Sequence, residues 1–338
     1  MRRWIGQLAA IVLILAPNGA LAQRAVLVGE NDAIVNTDRD YTSGFRLSIV
    51  FDDFNRDLLA GQMFGAVRPA LLTFGAPGGA VRQQFEWIAL AQNIYTPDRD
   101  TRGTYVPGVD RPFGGWLYTG FSIAQETARR QLDSFELQVG AVGGNASLGQ
   151  AVQSSFHRML GQSTPVINGY ELRNEPGIAV SWERRWKFAT DFGQGFGADI
   201  IPSLGFTGGN VFTYGEAGAI VRVGRALSTN WGPTLVRPGV SGANFVSPDP
   251  AAPFWGFSLF GGVQARGVAR NIFLDGSTFA DSPHVTRESF VYDLVAGAEV
   301  FNQAGFLASL TWIHRSREYT TQTRAYSDYG SVTLAYHF

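Results

Sequence analysis

The final residues restrict the fold more than any other part of the chain. Val332, Leu334, Tyr336 and Phe338 alternate with Ser331, Thr333, Ala335 and His337, so an extended segment presents an apolar, aromatic face and a more polar one. The same period runs through Phe290, Tyr292, Leu294, Ala296, Ala298 and Val300, set against Ser289, Asp293, Gly297 and Glu299. A soluble sandwich would have to bury those faces. In lipid, a backbone without an apolar helix satisfies its hydrogen bonds only in a closed barrel.

Helical spans are absent from the pattern. A membrane helix needs about 20 apolar residues, and beyond the first residues no such run occurs. At the start, Arg2 and Arg3 precede an apolar run from Leu8 to Leu15, which Pro17 and Asn18 stop short, and then the small-x-small triplet Ala20-Leu21-Ala22. That is the layout of a secretory signal over residues 1–22, leaving 23–338 as one barrel domain. Cysteine is absent, which removes disulfides and thiol chemistry. A net charge of −1 gives no electrostatic footprint for nucleic acid. Basic charge is almost all arginine, because Lys187 is the only lysine; the guanidinium fork suits carboxylate and the phosphate of an envelope lipid.

Alternation and turn residues predict twelve antiparallel strands near 24–32, 43–52, 83–95, 114–127, 131–143, 177–189, 197–208, 211–225, 254–270, 287–301, 305–318 and 327–338. The expected fold class is all-β, a twelve-stranded antiparallel transmembrane barrel with a short extracellular helix. An even strand number puts both termini on the periplasmic side, so the connections 33–42, 96–113, 144–176, 209–211, 271–286 and 319–326 face outward. The segments 53–82 and 226–253 are long for periplasmic turns, and 57–72 has the pattern of a short amphipathic helix; neither acquires a function from sequence. Twelve strands enclose a narrow lumen partly filled by side chains, which disfavours an open porin.

Three outward segments carry candidate chemistry. In 148–160, Leu148, Val152, Phe156 and Met159 form a helical apolar stripe, with Gln153 and His157 four apart on the neighbouring face. The same pattern fits an ordinary loop helix with a surface histidine. The first hairpin carries Glu30-Asn31-Asp32 and then Thr37-Asp38-Arg39-Asp40-Tyr41-Thr42-Ser43-Gly44, whose clustered oxygens suit a hard cation or simply a solvated turn. The third contains Asp98, Arg99, Asp100 and Arg102, then Asp110-Arg111-Pro112-Phe113-Gly114-Gly115, where the arginines could clamp a headgroup or balance the aspartates.

Taken together, the two hairpin motifs, Gln92-Asn93-Ile94-Tyr95-Thr96-Pro97, Asp110 to Trp116, and Gln153 with His157-Arg158 resemble the outer-membrane lipid A 3′-O-deacylases, the LpxR family. Specific motifs fall between Glu30 and about Trp186, although the likeness spans nearly the whole mature chain. The resemblance implies a barrel in the bacterial outer membrane, with its active site between the outer wall and an extracellular helix, facing the cell exterior. It implies a calcium-dependent carboxylic ester hydrolase acting on lipid A of lipopolysaccharide, working as a monomer among outer-membrane lipids. Carried over by position, His157 would activate water, Asn31 and Asp32 would hold Ca2+ and complete the oxyanion site, and Thr42 and Gln153 would line the cleft. Arg99, Arg102 and Arg111 would bind substrate. Two departures stand out: Arg102 replaces a lysine expected after the Ile-Tyr-x-Pro stretch, and Ser163 stands where an acid is expected six residues after His157. An outer-membrane phospholipase A-like esterase and a non-catalytic narrow barrel are the competing readings; His314-Arg315-Ser316 lacks the His-x-Ser-Asn-Gly run the former would carry.

Overall fold

A computed structural model describes residues 23–31, 40–51, 80–97, 105–144, 170–233 and 245–337. The described strands are β1 (Gln23–Asn31), β2 (Asp40–Phe51), β3 (Ala80–Thr96), β4 (Gly114–Thr127), β5 (Gln131–Gly143), β6 (Glu175–Trp186), β7 (Phe188–Gly193), β8 (Phe196–Gly209), β9 (Phe212–Arg225), β10 (Trp255–Asn271), β11 (Phe290–Asn302), β12 (Leu307–Ser316) and β13 (Tyr326–His337). Each pairs antiparallel with its neighbour in sequence except at one break; β1 pairs with β13, and β6 pairs with β8, which closes the sheet.

Thirteen segments make twelve staves. Arg185 opposite Ser203 and Phe188 opposite Ile200 keep a single register along β8, so β7 continues β6 past Lys187. The gap falls where Pro202 on β8 has no N–H to give the ladder. The expected strand 177–189 is therefore longer than its sequence suggested and locally interrupted. β7 then runs on along β8, whose other edge stays paired with β9.

Arg24 lies opposite His337, so both described termini meet at one end of the barrel, here the terminal end; the opposite one is the loop end. Alternation sorts side chains as expected: Leu204, Phe206, Val221, Val223, Leu259, Val263, Leu294 and Val300 stand exposed on the outer wall, while Glu216, Arg222, Gln264, Arg266, Asp293, Glu299 and Arg315 are buried inside. The interior arginines are matched by acids. Arg46 contacts Glu86 at 2.9 Å and Glu136 at 3.1 Å; Arg222 contacts Asp199 at 2.5 Å and Glu299 at 3.3 Å; Arg266 and Arg315 share Asp293, each at 2.8 Å. Much of the arginine bias is thus spent on neutralising carboxylates in the lumen rather than on lipid phosphate. Fork geometry suits such bidentate pairs, and removing one partner leaves a buried charge at a cost of about 3–5 kcal/mol.

Both ends of the lumen are packed. At the loop end, the short helix α1 (Ile272–Asp275) starts where the Asn271 side chain accepts from Phe273 N–H, and leaves through Gly276 at φ 85°. It drives Phe273 inward, stacked on Tyr95 at 4.1 Å. Gly114 must be glycine here, because a Cβ would sit 2.7 Å from Leu172 and 2.9 Å from Phe273. At the terminal end, the connection after β9 turns back inside. Trp231 and Phe245 pack with Leu132 and Ile201, the Gln84 amide bonds Val246 in both directions, and Lys187 Nζ donates to the carbonyls of Leu227 and Asn230. Within the long connection expected over 226–253, the described residues around Trp231 and Phe245 thus act as a plug. The candidate helix 57–72 and residues 1–22 lie outside the described residues.

Candidate active site

Parity on β1 separates the motif Glu30-Asn31. Glu30 is buried in the lumen, where it accepts from the Tyr41 hydroxyl at 2.7 Å; Asn31 shares the outer face with Leu27 and Gly29 at the loop end. On β2, Tyr41 pairs with Tyr95 and Ser43 with Ile94, so Thr42 is the extra residue of a β-bulge. Asn31 lies opposite Ser43, which places that bulge beside it. Bulges re-aim a strand where pairing ends and recur next to active sites.

The wall flanking Asn31 differs from the rest of the outer surface. Ser43, Ile94, Gly115 and Gly143 follow one another across β2 to β5 at Asn31's level. Gln92 and Ile94, on the outer face of β3, are only 1% and 5% exposed. Ile94 packs on Phe113, whose backbone is bonded to that of Leu172, and the Gly144 N–H reaches the Leu172 carbonyl. The connections after β3 and β5 are thereby tied together over this wall. Tyr105 and Tyr170 stack at 4.3 Å, and burial, then Asp110 and Tyr170, push the Tyr105 phenol up to about 12.

Behind the wall the lumen is packed with aromatic rings. Tyr41 touches the rings of Tyr95 and Tyr329 at 5.3 and 5.0 Å, and Arg315 donates to the Tyr329 hydroxyl at 2.8 Å. Arg111, expected to bind substrate, belongs to this inner network. Its side chain is fully buried, 3.1 Å from Glu318 and 4.7 Å over the Tyr95 ring. Pro112 and Phe113 follow it into β4, so it anchors the loop from within. Asp110 likewise closes a turn by accepting from Val106 N–H at 2.9 Å.

Of the other expected site residues, Asp32, Arg99, Arg102, Gln153 and His157 lie outside the described residues, as does the Thr42 side chain. The structure thus brings together Asn31 and the Thr42 backbone. Of the expected donors, the described residues supply the Asn31 amide oxygen, a hard donor of the kind calcium takes. No group of three or more acidic, histidine or cysteine side chains that could hold a metal ion gathers among the described residues, at Asn31 or away from it. Sequence reasoning passed over one feature of the outer wall, the contact of His314 with Asp328. Its signal was the pair's alignment across β12 and β13, visible only once the register is known.

Fold and wall together define a membrane-spanning β-barrel with a packed lumen and a covered patch of outer wall at its loop end. The sequence profile of the family described as "Outer membrane protein LpxR" matches residues 7–338, and the chain belongs to that family. Among solved structures, LpxR from Salmonella typhimurium superposes with a TM-score of 0.71 at 20% identity, over 93% of this chain and 100% of that one. The β domain of the Bordetella autotransporter BrkA gives a TM-score of 0.42 at 11% identity, over 95% and 99% of the two chains. No curated protein matches the sequence.

Proposed function

We propose that this barrel is a calcium-dependent esterase that hydrolyses the 3′-linked acyl chain of lipid A in the outer leaflet of the outer membrane, with its loop end facing the cell exterior. The observation that carries the reading is the position of Asn31: on the outer wall, beside the Thr42 bulge and against a patch withdrawn from its surroundings. Membership of the LpxR family supports it.

In this reading His157 takes a proton from water as the water oxygen attacks the ester carbonyl, and returns it to the departing sugar oxygen. The products are a fatty acid and a free hydroxyl. An imidazole titrates near working pH, which suits both transfers. Asn31 and Asp32 would hold a calcium ion, which when bound offsets charge developing on the carbonyl oxygen. Thr42 and Gln153 line the cleft and orient the ester. Arg99 and Arg102 clamp the anionic part of the head group.

Mass spectrometry of lipid A from cells expressing the chain, with calcium and then with chelator, tests the proposal. Loss of one acyl chain with calcium alone is expected. An unchanged lipid A mass beside a correctly folded barrel removes it, and release of fatty acid from phosphatidylethanolamine vesicles instead would point to a phospholipase.

A further inference from the structure

His314 and Asp328 form a polar pair on an otherwise apolar face. They lie directly opposite each other on β12 and β13, on the side that carries Leu310, Trp312, Val332 and Leu334 outward. Nδ1 of His314 is 2.8 Å from Oδ1 of Asp328. An ionised carboxylate only accepts, so Nδ1–H is the donor, which in the neutral ring leaves Nε2 as the acceptor. The side chains are 21% and 30% exposed, respectively. Tyr326 stacks on the imidazole at 4.3 Å and Trp312 approaches it at 5.6 Å; both aromatic residues are themselves over 40% exposed.

The pair adjoins the candidate site. Trp312 lies opposite Gly330, and Gly330 lies opposite Asn31, so one rung of outer-face positions joins β12, β13 and β1. Gly330 contributes no side chain between Trp312 and Asn31. Asp328 stands two residues nearer the loop end, which makes it a diagonal neighbour of Asn31 at about 7–8 Å between backbones. Ionisable groups on a lipid-facing surface are costly and tend to serve a function. Aromatic faces alone would suit an acyl chain, but they leave the His–Asp pair without a role. A phosphate would meet the Asp328 carboxylate with like charge. Uncharged hydroxyls on a ring with an apolar face satisfy both parts of the patch.

We propose that Trp312, His314, Tyr326 and Asp328 form a saccharide subsite that holds a sugar ring of the glycolipid head group, one hydroxyl donating to Nε2 of His314. The proposal rests on the function given above and names where the substrate's sugar lies relative to Asn31. His314→Phe keeps a stacking ring and removes the acceptor; Trp312→Leu removes one aromatic face. Both are made in the full chain, with folding checked by heat-modifiable gel migration. Equilibrium binding to lipid A and to phosphatidylethanolamine is measured in a His157→Ala background, and KM and kcat for deacylation in the active chain. The expected result is about tenfold weaker lipid A binding and a matching rise in KM for His314→Phe, with kcat and phosphatidylethanolamine binding unchanged. Unchanged lipid A binding in both variants, or equal weakening toward both lipids, overturns the subsite. If the active chain removes no acyl group yet the variants still lose lipid A binding, the esterase reading fails and the subsite stands.

Discussion

The wall of β8 to β11 and the loop-end wall of β1 to β4 are built by the same alternation, yet meet different surroundings. On the first, Leu204, Val221 and Leu259 are 49%, 54% and 60% exposed, whereas Gln92 and Ile94 occupy equivalent outward positions and are almost fully buried. Period alone decides which face a residue occupies; what covers that face is decided by the connections. One wall is therefore a solvent-like boundary for hydrocarbon, and the other is an interface within the protein. Asn31 sits at the edge of the second.

That contrast can be broken experimentally. Its largest expected effect comes from His157→Ala, which should lower deacylation about 10²–10⁴-fold with the barrel still folded, read by lipid A mass spectrometry and gel migration. Retained turnover would detach the covered wall from the chemistry. Next, Arg222→Met should cost about 3–5 kcal/mol in denaturant unfolding from lipid vesicles, because Asp199 and Glu299 stay buried without their cation. Such a loss would show that both walls depend on a shared ionic interior. Val263→Arg, central on the lipid wall, should cost about 2–4 kcal/mol in the same assay while leaving kcat intact. A fall in kcat would mean that this wall also serves the active site. Smallest is Asp110→Ala, which removes the acceptor of Val106 N–H and should cost about 1 kcal/mol, sharpening how firmly the loop after β3 is held.

Most of the barrel was legible because outward positions mostly repeat an apolar choice while many inward ones are small or polar. Phe290 to Val300 is the plainest example, and β11 follows it. The break at Lys187 was not legible from its own stave, since its cause is a missing donor on the neighbouring strand at Pro202. The burial of Arg111 was not legible, because exposure cannot be inferred from a charged residue in a loop when Glu318, over two hundred positions later, awaits it inside. The Glu30-Asn31 motif was recognisable, but its division between lumen and outer wall required the register with β13 and β2. Likewise the plug after β9 gave no signal of its own, as Trp231 and Phe245 acquire their partners only from Leu132 and Ile201.

The double closure by Phe273 at one end and Trp231 at the other has a physiological corollary. With its bore filled, the barrel can be abundant in an envelope without making the cell leaky to antibiotics or detergents. On the proposed esterase reading, it also leaves a fatty acid no axial way out, so clearance would proceed sideways into the surrounding leaflet. Turnover would then depend on how readily that leaflet absorbs the product, and a stiff, tightly packed membrane would slow the protein without touching any residue of it.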